Sequence, residues 1–240
     1  MSALLSPKLP TLEIGQMVIM NRRFTPAAVI LAAGASSRMG RPKMLLPWGG
    51  TTIIGHLIQQ WQRLGAQQVA VVCAGENVPQ PDGQVFPTPS NLELASELDR
   101  LGLPLTERIF NPAPERGMFS SIQCAARWPG WRPELTHWIL VLGDQPHLRL
   151  ETLTTLLNFA AAHPDRICQP SREGRPRHPV ILPRSAFRSL ALTNEPHLKS
   201  FLQNSAYAAN WCELDDPGLD IDIDQPGDYE KAVQIGSGNE

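Results

Sequence analysis

The sequence predicts an α/β fold built on a largely parallel β-sheet. Two continuous apolar runs, at residues 27–33 (AAVILAA) and His137–Leu142 (HWILVL), are typical of strands buried on both faces. Amphipathic stretches alternate with these and with further apolar runs, which is the strand–helix–strand pattern of parallel sheets. The 240 residues suffice for one sizeable core, and they contain no internal repeat and no clear domain break. We therefore expect a single domain.

The individual elements follow from the spacing of apolar residues and from the turn residues between them. After the first strand at 27–33, the predicted strands are Gln68–Ala74, 108–110, His137–Leu142, 166–169, 180–182 and 208–214. The predicted helices are 52–64, 91–101 with Asn91 as its N-cap, 118–128, 151–162, 186–192, 197–203 and 226–234. The stretch 77–90 is rich in Pro and Gly and predicts a surface loop. Residues 1–25 predict a loosely held extension ahead of a domain at 26–240.

Composition and charge exclude several classes of protein. The formal net charge is −2 and the isoelectric point is near 6.3, which argues against a broad electrostatic surface for nucleic acid or anionic membrane. Hydrophobic residues make up 42% and charged residues 18%, as is ordinary for a soluble globular protein. No apolar run reaches the roughly 18 residues that a transmembrane helix needs. We expect no nucleic-acid partner and no membrane partner.

The amino-terminal stretch is not typical of a signal peptide. Pro7 and Pro10 interrupt its short apolar parts, and its two arginines follow those parts instead of preceding them. A translation start at Met17 or Met20 is an alternative to one at Met1. The cysteines have neither zinc-site nor disulfide spacing and predict buried free thiols in a reducing cytoplasm; they are Cys73, Cys124, Cys168 and Cys212.

A glycine-bearing loop follows the first strand and is the first candidate site. Residues 31–43 (LAAGASSRMGRPK) combine two glycines, two hydroxyls and several cations. Gly34 and Gly40 allow backbone N–H groups to approach phosphate oxygens, while Arg38 offers a planar fork and Lys43 a mobile point charge. The loop is neither a Walker A motif nor a dinucleotide-binding fingerprint. The alternative is an ordinary strand–loop turn with solvated cations.

Acidic residues form two further candidates. Asp144 comes directly after the strand His137–Leu142 and Gly143, where a carboxylate can hold Mg²⁺ together with substrate phosphates. The alternative is an Asp that caps the following helix. Asp220, Asp222 and Asp224 alternate with apolar residues, so an extended chain places them on one face, where a cation would relieve their repulsion. For each of these three, a solvated edge is the simpler interpretation.

These features together resemble the molybdenum cofactor nucleotidyltransferases, most closely the cytidylyltransferase branch. The loop 31–43 carries the resemblance. Four further segments match family segments in the same order: 111–122 (NPAPERGMFSSI), 143–146 (GDQP), 177–180 (RHPV) and 222–228 (DIDQPGD). The likeness extends from about Pro26 to Gln234. It implies a Rossmann-like three-layer α/β/α domain with a mixed, mostly parallel sheet.

The resemblance also implies roles for individual residues. The triphosphate and its nucleoside would be held by Ala32, Ala33, Gly34, Arg38, Gly40, Lys43, Gly117, Ser120 and Ser121, the last two near the base and ribose. Asp144 would be the central metal ligand and Asp224 a second one. His178 and Pro179 would lie on the acceptor side. Family members vary at the position of Gln145, which leaves its role open.

The implied reaction transfers CMP from CTP to the terminal phosphate of molybdopterin, or of the molybdenum cofactor, and releases pyrophosphate. The implied cofactor is Mg²⁺ or Mn²⁺, and a molybdoenzyme or its chaperone is a further expected partner. The guanylyl branch usually reads AGG where this chain reads AAG at Ala32–Gly34. One methyl group near the base is worth only about 1–3 kcal/mol of discrimination, so GTP remains an alternative to CTP.

An ionised phosphate acceptor needs no serine nucleophile and no histidine base. The expected catalytic residues are therefore Arg38, Lys43 and Asp144, which neutralise charge and align in-line attack. One rival hypothesis is a nucleotidyltransferase for another acceptor, such as a sugar phosphate. A second rival is a non-catalytic carrier of the molybdenum cofactor that retains the nucleotide fold.

Overall fold

A computed structural model gives the architecture of the chain. It describes residues 24–34, 39, 41–75, 78–79, 85–86, 89–204, 206 and 209–237. The strands are β1 (Pro26–Leu31), β2 (Pro47–Trp48), β3 (Thr51–Thr52), β4 (Gln68–Ala74), β5 (Val78–Pro79), β6 (Val85–Phe86), β7 (Arg108–Asn111), β8 (His137–Leu142), β9 (Ile167–Arg172), β10 (Arg175–Pro176), β11 (Val180–Pro183) and β12 (Ala209–Glu213). The α-helices are α1 (Ile53–Arg63), α2 (Pro89–Arg100), α3 (Met118–Arg127), α4 (Leu150–Ala162), α5 (Arg184–Leu190), α6 (Leu198–Asn204) and α7 (Pro226–Ser237).

The main sheet is mixed, as predicted. Its strand order is β10-β9-β11-β8-β1-β4-β7, and β12 also pairs with β9. Strands β1, β4, β7 and β8 run parallel, whereas β11 lies antiparallel between β8 and β9. Both central strands β1 and β8 are almost wholly buried, because helices cover both faces of the sheet.

Two hydrophobic cores, one on each face of the sheet, define the three layers. Alternate residues of β1 divide between them: Ala28 and Ile30 face one core, and Ala27 and Val29 face the other. Helices α1, α2, α4 and α7 contribute to the first core, and α3, α5 and α6 to the second. This confirms the Rossmann-like α/β/α class. Within the described ranges, we find no helix with the length and apolarity that a bilayer crossing requires.

The folded part includes two residues that the sequence placed in the extension. Phe24 is 4% exposed and its ring lies 4.5 Å from that of His137. The backbone N–H of Thr25 donates to Thr136 Oγ1 at 2.8 Å. Ordered packing therefore starts by Phe24. The remainder of the extension lies outside the described residues.

The prediction that Asn91 caps the second helix is wrong. Helix α2 begins at Pro89, because proline fits the first turn of a helix, where its missing N–H has no intrahelical acceptor to satisfy. Asn91 lies inside the helix, and its side-chain amide donates to Gly75 O at 3.3 Å. The predicted loop 77–90 accordingly includes the start of α2 and the short strands β5 and β6.

All four cysteines are free, as expected. Burial raises the pKa of the Cys73 thiol to about 12 and that of Cys168 also to about 12. Cys212 is buried as well, and Cys124 is half-buried. Thiols in such surroundings stay protonated and behave as small apolar side chains.

Candidate functional site

Three charged side chains meet beyond the carboxyl ends of the central strands. Lys43 Nζ lies 3.1 Å from Asp144 Oδ2 and 3.5 Å from Asp224 Oδ1. Lys43 opens a 3₁₀ turn after the β1 loop, Asp144 follows β8, and Asp224 lies just before α7. The structure therefore brings together a predicted phosphate-binding cation and both predicted metal ligands, which are far apart along the chain.

Gly143 allows this close approach. A Cβ at this position would lie 2.8 Å from the carbonyl oxygen of Leu31 and 2.8 Å from the sulfur of Met44. Real Cβ atoms essentially never approach other atoms so closely, so only glycine lets the end of β8 pack against the end of β1 and the turn at Met44. This packing fixes the direction in which Asp144 leaves the sheet.

The acidic segment before α7 is held against Asp144 by its backbone. Ile223 N donates to Asp144 O at 3.1 Å, and the Ile223 side chain is fully buried. Alternation then turns Asp222 and Asp224 to the opposite side. Asp222 Oδ1 accepts from Gln145 Nε2 at 2.9 Å, whereas Asp224 meets Lys43. Loss of hydration and the nearby Asp144 carboxylate raise the pKa of Asp222.

Asp220 does not join this group. It pairs with Arg177, whose Nε donates to Asp220 Oδ1 at 2.7 Å, and with the guanidinium of Arg172. The Arg177 and Arg172 hydrogen bonds lower the pKa of Asp220 despite partial desolvation. Of the two interpretations, a cation shared by Asp220, Asp222 and Asp224 is therefore excluded for Asp220, because Asp220 ends a 3₁₀ turn and faces this pair of arginines.

The carboxylates fit a divalent cation. Asp144 Oδ1 is buried and has no hydrogen-bond partner among the described residues, so one carboxylate oxygen remains available as a ligand. The Lys43 ammonium lies between Asp144 and Asp224, where positive charge is favoured. In the described part of the chain, no cluster of three or more His, Cys, Asp or Glu side chains suits a metal. Mg²⁺ needs no such cluster, since it commonly binds one or two carboxylates and substrate phosphates.

The glycine-bearing loop leaves β1 at the same edge of the sheet. Ala32 is buried and its N–H donates to Val72 O at 2.9 Å, which extends the β1–β4 pairing by one residue. Ala33 is half-buried and Gly34 is exposed, with open space where a Cβ would stand. Arg38 and Gly40 lie outside the described residues, so their predicted roles stay predictions.

A buried amide network supports the expected base and ribose side. Asn111, the last residue of β7, donates from Nδ2 to Ser120 Oγ at 2.8 Å and to Ser121 Oγ at 2.9 Å. Ser120 Oγ in turn donates to Gly117 O at 2.7 Å. The two serine hydroxyls thus anchor the start of α3, which begins after Gly117 with its φ of 87°. Sequence analysis did not single out Asn111, although it was part of a matched segment.

His178 and Pro179 lie at the same edge of the sheet on the other side of β8. They precede β11, whose first residue Val180 pairs antiparallel with Leu140 of β8. Burial lowers the pKa of His178, and the Asp144 carboxylate acts in the opposite direction. His178 Nδ1 is buried without a hydrogen-bond partner among the described residues. The predicted acceptor side thus borders the cation site.

Comparison with known proteins agrees with this geometry. The model of the MobA-like NTP transferase domain matches residues 28–209. The molybdenum cofactor cytidylyltransferase of Escherichia coli (strain K12) is 25% identical over 203 residues, which cover 84% of this chain and 92% of that protein. A probable molybdenum cofactor guanylyltransferase of Mycobacterium tuberculosis is 38% identical over 112 residues, which cover 45% of this chain and 52% of that protein.

Solved structures share the fold. Rv0371c from Mycobacterium tuberculosis H37Rv has a TM-score of 0.65 and 23% identity, with 88% of this chain and 99% of that chain covered. The same protein in complex with manganese has a TM-score of 0.60 and 23% identity over 88% and 98% of the two chains. A CMP:2-keto-3-deoxy-manno-octonic acid synthetase complexed with CTP has a TM-score of 0.66 and 15% identity over 90% and 100%.

The family model, together with the strand-end site, defines this chain as a nucleotidyltransferase. More particularly, the chain belongs to the MobA-like NTP transferase domain family, since the family model spans most of its length. Its named relatives include both cytidylyl- and guanylyltransferases of the molybdenum cofactor. The suspected family is therefore confirmed, and nucleotidyl transfer is the activity of this chain.

Proposed function

We propose that this protein transfers CMP from CTP to the terminal phosphate of molybdopterin and releases pyrophosphate. The observation that supports it best is the convergence of Lys43, Asp144 and Asp224 beyond the strand ends. The proposal holds equally for the molybdenum cofactor as acceptor, since the terminal phosphate is the reacting group in both. Mg²⁺ or Mn²⁺ is the proposed cofactor.

The reaction is a displacement at the α-phosphorus of the nucleotide. An oxygen of the acceptor phosphate forms a new bond to this phosphorus, while the bond to the bridging oxygen of the β-phosphate breaks and pyrophosphate leaves with that electron pair. No proton has to be removed, because the acceptor is already ionised. The barrier is the approach of two anions, so catalysis rests on positioning and charge neutralisation.

Asp144 and Asp224 would hold the divalent cation, which when bound supplies positive charge to phosphate oxygens. Lys43 would then exchange its carboxylate partners for the triphosphate and stabilise the charge that develops on pyrophosphate. Arg38 is proposed for the same task from the glycine-bearing loop. Gln145 donates to Asp222 and keeps that carboxylate beside the site.

We propose that the nucleotide lies between the β1 loop and the start of α3. Ala32, Ala33, Gly34 and Gly40 would present backbone to the phosphates. The other residues proposed to contact the nucleotide are Gly117, Ser120 and Ser121. Both serine hydroxyls already accept hydrogen bonds from Asn111. We therefore expect Ser120 and Ser121 to form the wall beside the base and ribose, and not to donate hydrogen bonds to the nucleotide.

CTP is preferred over GTP in this proposal for two reasons. The chain reads AAG at Ala32–Gly34, and the molybdenum cofactor cytidylyltransferase of Escherichia coli matches almost the whole chain. GTP is the alternative, because the guanylyltransferase match is higher in identity although it covers only 45% of the chain.

His178 and Pro179 are proposed to border the entering acceptor.

A nucleotide-by-acceptor panel with pyrophosphate detection tests the proposal. We expect pyrophosphate release from CTP with molybdopterin, and much less with GTP or with sugar phosphates. Asp144→Asn serves as the matched inactive control, since it keeps the size of the side chain and removes its charge. Pyrophosphate release from GTP with molybdopterin, but not from CTP with molybdopterin, would establish the guanylyl alternative. Binding of the cofactor without any turnover would establish the carrier hypothesis.

A further inference from the structure

A second cavity lies next to the catalytic site but shares none of that site's described residues. Its volume is about 880 Å³. Lys43, Asp144, Asp224, Gly34 and His178 do not line it. A cavity of this size fits a small organic molecule, since ligand pockets typically measure about 300–1,000 Å³.

Helix α1 and three segments that continue directly from the catalytic residues build its walls. The first is the β2–β3 hairpin, which follows the Lys43 turn; the second is 146–150, which follows Asp144; the third is α7, which follows Asp224. Tyr229 Oη donates to Pro47 O at 2.6 Å and ties the third wall to the first. A molecule bound here would therefore contact all three segments that position the catalytic charges.

An aromatic cluster forms one side of this cavity. The Trp48 ring has its centroid 6.0 Å from that of His56, 6.5 Å from His147 and 6.3 Å from Tyr229. All four rings line the cavity. Such a surface suits a planar ring, which can pack against aromatic faces and edges.

The charge of the lining is positive. Arg63 and Arg149 contribute guanidinium groups, and none of the described lining residues carries a carboxylate. Arg149 is partly neutralised, because its Nε lies 3.8 Å from the buried carboxylate of Asp216. Arg63 is exposed at the end of α1 and has no ion pair within the described ranges. Its planar fork matches a phosphate or a carboxylate.

His147 adds a specific hydrogen-bonding requirement. The residue is 1% exposed, and its Nε2 lies 3.0 Å from the carbonyl oxygen of Gly218. A carbonyl only accepts, so Nε2 carries the proton and Nδ1 is left as an acceptor in the neutral ring. Burial lowers the pKa of His147, which favours this neutral form. Nδ1 is buried and has no partner among the described residues, a costly arrangement that a ligand donor would relieve.

We propose that this second cavity binds a small planar-ring compound that carries an anionic group and a hydrogen-bond donor. The anion, a phosphate or a carboxylate, pairs with Arg63. The ring packs against Trp48 and Tyr229, and the donor reaches Nδ1 of His147. This proposal goes beyond nucleotidyl transfer and does not depend on which nucleotide or acceptor the enzyme uses.

Calorimetric titration of the full chain with three probes tests it. The probes are 4-hydroxyphenyl phosphate, 4-hydroxybenzoate and phenyl phosphate, which separate the two anions and the hydroxyl donor. We expect saturable binding of at least one hydroxylated probe, with affinity about tenfold lower in Arg63→Ala. Phenyl phosphate should bind several-fold more weakly than its hydroxylated counterpart.

Two variants locate the binding. Arg188→Ala removes an exposed arginine from α5, on the opposite face of the sheet, and should leave affinity unchanged. Lys43→Met removes the cation of the catalytic site and should also leave it unchanged. Loss of probe binding in Lys43→Met with none in Arg63→Ala would place the probe in the catalytic site and overturn the proposal. Absence of saturable binding by all probes would overturn it too, and equal affinity for phenyl and hydroxyphenyl phosphate would overturn the role of His147.

Discussion

Replacing Lys43 by methionine should have opposite effects on metal binding and on turnover. The methionine keeps the length of the side chain and removes its charge. In the structure, Lys43 Nζ lies 3.1 Å from Asp144 Oδ2 and 3.5 Å from Asp224 Oδ1 and partly neutralises both carboxylates. A divalent cation must displace this ammonium before it binds both carboxylates. We therefore expect Lys43→Met to bind Mn²⁺ more tightly while it loses activity.

The size of the effect follows from the two ion pairs. Opposite unit charges about 4 Å apart interact by about 1 kcal/mol in water and about 4 kcal/mol at the effective dielectric near a protein surface. The Lys43–Asp144 pair is largely buried, with side chains 12% and 24% exposed, whereas Asp224 is 53% exposed and contributes little. A net gain of about 1–2 kcal/mol corresponds to about 5- to 30-fold tighter Mn²⁺ binding.

The assay is electron paramagnetic resonance of free Mn²⁺ titrated with nucleotide-free protein, alongside pyrophosphate release with Mg²⁺. We expect kcat to fall about 10²-fold, a size typical of lost electrostatic stabilisation. Lys199→Met is the matched control, because Lys199 is exposed on α6 away from the site. Mn²⁺ affinity that is unchanged or weaker in Lys43→Met would refute the idea that the ammonium competes with the metal.

Four further outcomes follow from the site and its supports. Asp144→Asn should abolish Mn²⁺ binding and turnover with little change in melting temperature; wild-type turnover would remove its assignment as a metal ligand. Gly143→Ala should lower the free energy of unfolding by about 1–3 kcal/mol in urea titration, because its Cβ would overlap backbone and side chain. Gly227→Ala, where a Cβ meets open space, should cost nothing, and equal losses in both would contradict the packing argument. Asn111→Ala should lower the free energy of unfolding by about 1–3 kcal/mol in the same titration, since two buried serine hydroxyls lose their donor. A decrease of less than about 0.5 kcal/mol would mean that the network contributes little to stability. The lowered pKa of Asp220 means that its ion pairs stabilise the fold above the ordinary carboxyl pKa of 3.8 and cease to do so as the pH falls below that value and the carboxylate is protonated. Between pH 6 and pH 3, the melting temperature of Asp220→Asn should therefore fall less than that of the wild-type protein. Parallel curves for the two proteins would disprove the contribution.

The central part of the fold was predictable because its signal is local. Residues 27–33 and His137–Leu142 are apolar throughout, and only a strand covered on both faces needs such a run. The same logic located the site, because parallel strands β1 and β8 end at one edge. Lys43 and Asp144 meet there although 101 residues separate them.

Other features depend on contacts that no local pattern encodes. The short β2–β3 hairpin and β10 consist of two residues per strand, too few to show alternation. Helix α5 begins at Arg184, two residues before the predicted start. The backbone N–H of Arg184 donates to the carbonyl oxygen of Thr136, a residue that is distant in sequence, and this contact fixes the start of the helix. Asn111 could not be ranked above its neighbours, since its importance lies in reaching Ser120 and Ser121 from another element.

The ion pair of Lys43 with Asp144 could not be predicted from the sequence either, and it adds a second role for Lys43. Sequence reasoning assigned Lys43 to phosphate and Asp144 to metal as separate contacts, but the structure joins them in an ion pair. A pair of carboxylates at a strand end would repel each other without a nearby cation. If Lys43 turns to phosphate when a divalent cation and the nucleotide bind, as proposed, the local charge would stay balanced in both states. Binding of the metal and binding of the nucleotide would then be coupled, because the cation would replace the positive charge that Lys43 takes away from the carboxylates.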